Sequence, residues 1–272
     1  MSKNVLFNKN CPTIIAALHL PPSAAFNQPT SMPMDEVVDF ALRNVEKAVR
    51  AGVPAVYIQD LGDLPSAPHI QPHTIAFLSV VGGAIRKEFP QLALGVCMMS
   101  HGAREPLAVA QAISAQFVRI KVYTGVMVKA EGILEGCAYE AITYRTQIGA
   151  EDIAILADVY DHTGKPLGEL PLVEAARFAA VHSKADGLVL TGFSFDESLK
   201  MLKEVREEDL GVPVLLGGGA KKENIKEALQ FSDGAIVSSS FKPLSGWTRE
   251  SMLTEWDYDR MAQFMQAVNG KG

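Results

Sequence analysis

The sequence contains few cysteines and no long apolar run. Its three cysteines, Cys11, Cys97 and Cys137, lie far apart and form no CxxC pair, so neither a disulfide framework nor a structural zinc site is expected. No apolar stretch reaches about 18 residues, the length that a transmembrane helix needs. The N-terminal residues MSKNVLFNKNCP lack the charged, apolar and cleavage regions of a secretory signal. We therefore expect a cytoplasmic protein without a transmembrane segment.

Basic residues are outnumbered by acidic ones. The chain has 25 lysines and arginines against 31 aspartates and glutamates, which gives a formal net charge of −6. A surface that binds nucleic acid or an anionic membrane needs a basic face, so we expect neither partner. A small anionic ligand needs only a local positive pocket and stays possible. With 272 residues, of which 48% are hydrophobic, the chain can bury a substantial core, and we predict one domain over residues 1–272.

Short apolar segments alternate with helical patterns along the whole chain. The segments predicted to be strands are 13–18, 55–58, 92–98, 117–122, 154–159, 187–190, 214–216 and a last one near 235–238. Eight strands with crossover helices favour a closed (β/α)₈ TIM barrel, in which no strand edge is left exposed. An open doubly wound sheet is the alternative. Such a sheet would normally carry a glycine fingerprint after its first strand, where this chain has His19-Leu20-Pro21-Pro22.

Two turns of small residues follow the last two predicted strands. Gly217, Gly218 and Gly219 come after the seventh strand, and Ser238, Ser239 and Ser240 come after the eighth. Glycine lets the backbone N–H groups approach a ligand closely, and in (β/α)₈ barrels the loops after strands 7 and 8 often bind phosphate. The pair therefore predicts a site for a small anionic or phosphorylated ligand, with Lys242 as a further contact. The alternative is that these are tight connections whose small residues serve packing.

The fourth predicted strand places two cations inside the barrel. In Phe117-Val118-Arg119-Ile120-Lys121-Val122, the apolar residues Val118, Ile120 and Val122 alternate with Arg119 and Lys121. Side chains alternate between the two faces of a strand, so the apolar set faces the helices and the cations face inward. Phe117 shares the inward face. Buried cations need partners.

Several groups could balance these cations and act on a ligand. The candidates are Asp158 at the end of the fifth strand, Asp60 after the second strand, or a bound anion. A buried ion pair between Arg119 and Asp158 that only fills the barrel is the alternative. If the pocket is catalytic, Asp158, Lys121 and His19 form the predicted acid/base set.

The exit of the second strand supplies further polar groups. Gln59 and Asp60 are predicted to bind the substrate together with Arg119. His19, Asp60 and Asp158 could in principle hold a divalent cation, but the sequence contains no metal-binding motif. We therefore predict no metal site and leave the cofactor open.

The loop 123–136, YTGVMVKAEGILEG, is the candidate lid, because long loops at this end of a barrel are usually functional. Lys129 and Glu131 could contact a ligand from this loop or face solvent. Asp161 and His162 lie in a turn that ends at Gly164, and we expect both to be exposed.

Several segments together resemble the BtpA family. They are Leu18-His19-Leu20-Pro21, Gly62-Asp63, FVRIKVYTG, GILEGCAYEAITYR, IAILADV, GVPVLLGGG with Glu223-Asn224, and SDGAIVSSSFK. The resemblance implies a barrel of the ribulose-phosphate-binding type and a family linked to photosystem I biogenesis, otherwise without an assigned reaction. This chain resembles a divergent member, since Gln59-Asp60, Lys121, Tyr123 and Tyr160 differ from the usual family residues.

Two functions follow as hypotheses. The first is an enzyme that acts on a small phosphorylated metabolite, a sugar phosphate, by lyase, isomerase or hydrolase chemistry. The second is a noncatalytic assembly or stability factor of the photosystem I biogenesis type. The sequence leaves open whether the chain forms a homo-oligomer.

Overall fold

The strands of the computed structural model form a closed barrel and a small separate sheet. The structure describes residues 11–23, 31–246 and 248–270. Within these ranges, eight parallel strands form the closed barrel. The barrel strands are β1 (Thr13–His19), β2 (Ala55–Gln59), β3 (Ala93–Cys97), β4 (Phe117–Ile120), β7 (Ala154–Asp158), β9 (Gly187–Leu190), β10 (Val214–Leu216) and β11 (Gly234–Val237). The separate sheet contains β5 (Val126–Lys129), β6 (Gly132–Glu135) and β8 (Lys165–Pro166). The predicted (β/α)₈ barrel is confirmed, and the open sheet is wrong.

Helices follow the strands around the barrel. They are α1 (Met34–Arg50), α2 (Pro72–Glu88), α3 (Arg104–Ala112), α4 (Ala138–Gln147), α5 (Leu172–Arg177), α6 (Phe195–Arg206), α7 (Ile225–Ala228), α8 (Arg249–Leu253) and α9 (Tyr258–Val268). Helix α5 is followed directly by a π-helix, Phe178–His182. Side-chain caps mark some starts: the Ser194 hydroxyl accepts a hydrogen bond from the Glu197 amide at the start of α6.

Parts of the predicted organisation lie outside the described residues. These are the N-terminal residues 1–10, used to argue against a signal peptide, and residues 24–30 of the proline-rich connection before α1. None of the described helices combines the length and apolar character needed to cross a bilayer.

Inward-facing side chains fill the lower part of the ring. Phe117 is fully buried, and a Cβ atom at Gly95 would lie 2.3 Å from its ring. The predicted inward direction of Phe117 and Arg119 is confirmed, and Val118 packs in the outer core with the helices. Val122 was expected to face the helices too. It packs instead against Met127 and Leu134, because β4 ends at Ile120.

The segment 123–136 is an ordered hairpin of β5 and β6, extended by β8. The Lys129 ammonium forms an ion pair with the Asp161 carboxylate, and their side chains are only 4% and 3% exposed. Asp161 also accepts a hydrogen bond from the Thr163 hydroxyl (2.8 Å). The expectation that Asp161 is exposed is therefore wrong, because the hairpin supplies its counter-charge. The His162 side chain is 41% exposed, as expected.

The loops after β1 and β2 are packed tightly against each other. The Leu20 amide donates to the Gln59 carbonyl (2.8 Å), and the Gly62 amide donates to the Leu20 carbonyl (3.1 Å). A Cβ atom at Gly62 would lie 2.4 Å from the Pro22 nitrogen, so only glycine permits this approach. Asp63 accepts hydrogen bonds from the Ser23 amide and hydroxyl at 2.7 and 2.9 Å. These contacts fix the positions of the residues at both strand ends.

Asp60 is buried between the loops that follow β2 and β3. Its Oδ1 atom accepts a hydrogen bond from the Met99 amide at 2.8 Å, and the residue is 3% exposed. Burial raises the pKa of the Asp60 carboxyl to about 6.

An ion pair spans the barrel interior above the apolar layer. Arg119 Nε donates to Asp158 Oδ1 at 2.8 Å, and Arg119 Nη2 donates to Asp158 Oδ2 at 2.9 Å. Arg119 Nη1 also donates to the Tyr57 hydroxyl at 3.0 Å. Burial opposes the charge, but the attraction of Asp158 outweighs it and raises the pKa of Arg119 well above its usual value. The geometry matches the buried ion pair that the sequence offered as the alternative to a catalytic Asp158.

We expect Asp158→Leu to lower the free energy of unfolding by about 3–5 kcal/mol, because it leaves the buried guanidinium unpaired. The double variant Arg119→Met/Asp158→Leu should recover most of this loss, since the unpaired charge is gone. Urea denaturation measures both. Asp39→Leu, at an exposed position of α1, is the control and should change stability by less than about 0.5 kcal/mol. A loss below about 1 kcal/mol for Asp158→Leu would contradict a structural role for the pair.

The buried Asp60 should make stability depend on pH. Its folded-state pKa of about 6 lies above the usual 3.8, so the buried charge costs stability above pH 6. Protonation relieves this cost as the pH falls through 6. Relative to Asp60→Asn, the wild type should gain about 1–2 kcal/mol between pH 7.5 and pH 4.5. Urea denaturation at both pH values tests this. Asp39→Asn is the matched control, and an equal pH response of the wild type and Asp60→Asn would refute the assignment.

Candidate functional site

A cavity of about 480 Å³ opens at the carboxyl ends of the barrel strands. The predicted site residues that line it are His19, Gln59, Arg119, Lys121, Gly217, Gly218, Gly219, Ser238, Ser239 and Lys242. The structure thus brings most of the predicted set together, although these residues are up to 223 positions apart in the chain. Asp60, Asp158 and Ser240 do not line this cavity.

The two predicted turns present unused backbone donors to the cavity. The Gly217 amide continues the sheet by donating to the Leu190 carbonyl at 2.8 Å. In the part of the chain that the structure describes, no acceptor is in hydrogen-bonding position for the amides of Gly218, Gly219, Ser239 and Ser240. These are the second and third amides after each strand, and the serine pair begins a short 3-10 helix, Ser239–Phe241. Such groups suit an anion.

Each glycine of the first turn has a different reason to be glycine. At Gly217, a Cβ atom would lie 1.8 Å from Thr191 Oγ1, so packing forbids a side chain. Gly219 has a φ of +78°, a backbone conformation that favours glycine. At Gly218, a Cβ atom would meet only Thr191 Cγ2, at 3.4 Å. The packing explanation therefore accounts for Gly217, whereas the protein around Gly218 leaves space that faces the cavity.

Side chains hold the two turns in place. The Ser240 hydroxyl donates to the Ala220 carbonyl and so joins the serine turn to the glycine turn. Asn224 braces the glycine turn from the other side: its Nδ2 donates to the Gly219 carbonyl at 3.1 Å, and its Oδ1 accepts from the Lys221 amide at 2.7 Å. Sequence reasoning missed this bracing role. The signal was an asparagine at the start of a helix just after the glycines.

An aromatic cluster anchors the serine turn to the barrel. The Phe241 ring is fully buried and packs edge to face against Phe264 and Trp256, with centroid distances of 5.3 and 6.2 Å. The Asp257 amide donates to the Phe241 carbonyl at 2.7 Å. The position of the preceding serines is therefore set by the packing of α9.

His19 lies at the centre of the cavity wall beside the serine turn. Its Nδ1 atom is 3.3 Å from the Ser238 hydroxyl. Burial, together with the nearby charges of Lys242, Lys121 and Arg119, lowers the pKa of His19 to about 3. The imidazole is therefore neutral at neutral pH, with one ring nitrogen able to donate and the other able to accept.

Lys121 forms no salt bridge in the described residues, although its charge acts against burial and lowers the pKa of Asp161, which lines the same cavity. The Lys121 ammonium lies 3.2 Å from Met99 Sδ, and within the described residues no carboxylate forms an ion pair with it. Gln59 Nε2 contacts the same sulfur at 3.2 Å and Cys97 Sγ at 3.4 Å. The thioether of Met99, which sequence reasoning did not identify, thus positions two predicted site residues.

Lys242 forms part of the cavity wall beneath the serine turn. Its Nζ atom donates to the carbonyls of Ser251 and Met252 at 3.0 and 3.3 Å. Burial lowers the pKa of this ammonium to about 8. The cavity therefore contains two lysine charges, and the carboxylates nearest to them are already hydrogen-bonded elsewhere.

The described residues contain no group of three or more histidine, cysteine, aspartate or glutamate side chains arranged to hold a metal ion. The surroundings of the cavity are rich in cations and in backbone N–H donors. These are groups that bind anions.

Two solved structures with the same architecture have phosphorylated compounds in their names. The 3-keto-L-gulonate-6-phosphate decarboxylase of Vibrio cholerae superimposes with a TM-score of 0.57 and 12% identity, over 96% of this chain and 99% of that chain. The N-(5'-phosphoribosyl)anthranilate isomerase of Pyrococcus furiosus superimposes with a TM-score of 0.53 and 13% identity, over 95% and 99%. At these identities the likeness concerns the fold alone, a closed (β/α)₈ barrel.

Sequence comparison reaches a more specific result. The photosystem I biogenesis protein BtpA of Synechocystis is 28% identical over 232 residues, which cover 84% of this chain and 79% of that protein. The BtpA family model matches residues 10–270. Because this match extends over nearly the whole length, the chain belongs to the BtpA family.

Proposed function

We propose that the protein is an enzyme that binds a sugar phosphate and transforms it by proton transfer, as a lyase or an isomerase. One observation carries the proposal: two turns with unused amides open into the same cavity as Lys121 and His19. A phosphate held by the turns would leave the rest of a small ligand next to these two side chains.

The phosphate would lie between Gly218 and Ser239. Their amides point to no acceptor in the described part of the protein, so an anion would satisfy them without displacing a native hydrogen bond. The nearby Lys242 ammonium adds positive charge. The names of the two structural relatives, both of which refer to phosphorylated compounds, support this class of ligand.

Lys121 and His19 would then perform the chemistry. Removal of a proton from a carbon next to a carbonyl produces an oxyanion, which an unpaired ammonium such as that of Lys121 stabilises. The His19 imidazole would accept that proton once the bound phosphate offsets the charges of Lys242, Lys121 and Arg119, which together with burial lower its pKa in the free protein. Hydrolysis is less well supported, because Asp158 and Asp161, which could activate water, are bound to Arg119 and Lys129.

Phosphate binding should depend on the space in front of Gly218. In Gly218→Val the side chain would occupy the proposed phosphate position, so we expect the affinity for inorganic phosphate and ribose 5-phosphate to fall at least about tenfold. Gly218→Ala should give a smaller loss in the same direction. Isothermal titration calorimetry measures both affinities.

Gly83→Ala is the control for these variants, because a Cβ atom there meets nothing within 4 Å. It should bind both ligands like the wild type. Wild-type affinity in Gly218→Val would rule out the glycine turn as the phosphate site.

Substitution of Lys121 should reduce turnover more than it reduces ligand binding. Aldose and ketose phosphates are incubated with the protein, and their conversion is followed by ³¹P and ¹H NMR. For any compound that is converted, we expect Lys121→Met to lower kcat by about 10²-fold or more, because it removes the charge that stabilises the oxyanion. Binding of inorganic phosphate should change less than about threefold.

Lys200→Met, at an exposed position of α6, is the matched control and should retain full turnover. Unchanged kcat in Lys121→Met would remove the lysine from the mechanism.

A noncatalytic role is the second candidate, and the name of the cyanobacterial relative favours it. An assembly or stability factor needs the barrel as a scaffold but no substrate. The two candidates differ in the response of the wild type to ligand. A ligand at a hundredfold excess over its Kd should raise the stability by about 2.7 kcal/mol. No thermal shift with any sugar phosphate would favour the scaffold.

A further inference from the structure

A second cavity, of about 520 Å³, adjoins the candidate site on the far side of the serine turn. The two cavities share Ser239, Lys242 and Ser245 as a common wall. The second cavity also has Ser240 in its lining, whose hydroxyl is directed to the Ala220 carbonyl. A ligand bound at the serine turn would therefore lie at the boundary between two open spaces.

The second cavity is strongly basic. Its lining includes the cations Lys221, Lys222, Lys242 and Arg260 and a single carboxylate, Glu223, so four positive charges face one negative charge. The chain as a whole has a net charge of −6. The local excess of positive charge is thus opposite in sign to that of the protein, and it is concentrated next to the proposed phosphate position.

These cations are not neutralised by ion pairs. Within the described residues, none of the four lies in a salt bridge. Lys222 donates to the Gln263 side-chain oxygen at 2.8 Å, which orients its ammonium without removing its charge. Lys242 uses two of its three donors on the carbonyls of Ser251 and Met252, and the third is left for a ligand.

We infer that the second cavity is a subsite for a second anionic group of the same ligand, so that the substrate class is a bisphosphate or a diphosphate. The inference rests on the proposed function, because the first phosphate must lie at the glycine and serine turns. The second phosphate would extend past Ser239 and be bound by Lys221 and Arg260. Cations near a phosphate increase affinity through direct charge attraction, which an uncharged portion of a ligand would not use.

Two inorganic probes separate the subsites. One phosphate ion can occupy only one of the two subsites, whereas one pyrophosphate ion carries two linked phosphate groups and can occupy both. At constant ionic strength, we expect the wild type to bind pyrophosphate more tightly than phosphate. In Lys221→Gln/Arg260→Gln, the affinity for pyrophosphate should fall about tenfold, while that for phosphate should stay within about twofold. Calorimetric titration gives both values.

The control is Lys200→Gln/Lys226→Gln, which removes the same number of charges from exposed positions outside both cavities. It should bind both probes within about twofold of the wild type. Equal weakening of both probes by Lys221→Gln/Arg260→Gln, or of neither, would overturn the second subsite.

The result also distinguishes this inference from the proposed function. One outcome would overturn the second subsite alone. In that outcome Gly218→Val loses phosphate binding, but Lys221→Gln/Arg260→Gln binds pyrophosphate like the wild type. If the wild type binds neither probe, both proposals fail.

Discussion

Pairing of the first barrel strand with the last is the constraint on which the site depends. β1 and β11 run parallel, with Ala16 opposite Val237. This register carries the chain on both strands to the same end of the ring, where His19 meets Ser238 across 219 positions of sequence. Without closure, the histidine would have no contact with the serine turn. The cavity therefore exists only in the complete ring, and any change that opens the β1–β11 seam would separate the two halves of the site.

Above the apolar floor, the barrel changes from balanced to unbalanced charge. Arg119 forms a buried ion pair with Asp158. Lys121, two residues further along the chain, contacts the Met99 thioether instead of a carboxylate. The pKa of His19 reflects this excess of positive charge, because nearby cations add to burial in lowering it. Positive charge thus increases toward the cavity mouth. An anion entering from solvent would be attracted toward the turns and not toward the neutral floor.

The sequence predicted the features that depend on local patterns. Strands such as Gly187–Leu190 and Val214–Leu216 are short apolar runs bounded by turn residues, and the glycine turn follows one of them directly. The inward direction of Arg119 also follows from simple alternation along a strand. The closed ring could be predicted because eight such units in succession leave few other arrangements.

The features that depend on distant partners were missed or left open. The burial of Asp161 requires Lys129, 32 residues earlier, which reaches it only because 123–136 folds into a hairpin. The spacing of apolar residues in α1 also fits more than one choice of buried face. Val45 and Val49 are four residues apart, yet Val45 is buried and Val49 is 41% exposed, whereas Val37 and Phe40 are buried. Periodicity determines that a helix has an apolar face, whereas the packing of the neighbouring helices decides which residues occupy it.

Four carboxylates near the cavity each have a hydrogen-bond or ion-pair partner within the protein. Asp158 binds Arg119, Asp161 binds Lys129, and Asp63 accepts hydrogen bonds from Ser23. Asp60 lies under the Met99 amide with a raised pKa.

The lysines of the cavity, by contrast, are left without such partners in the described part of the chain. Asp161 lines the cavity and attracts Lys121, but it is paired with Lys129, so neither Lys121 nor Lys242 forms an ion pair within the described residues. The unused amides of the turns add donors without acceptors. This asymmetry costs folding stability, because unpaired cations repel one another. A bound anion reverses that cost. The arrangement is therefore best understood as a site whose missing counter-charge is supplied by its ligand.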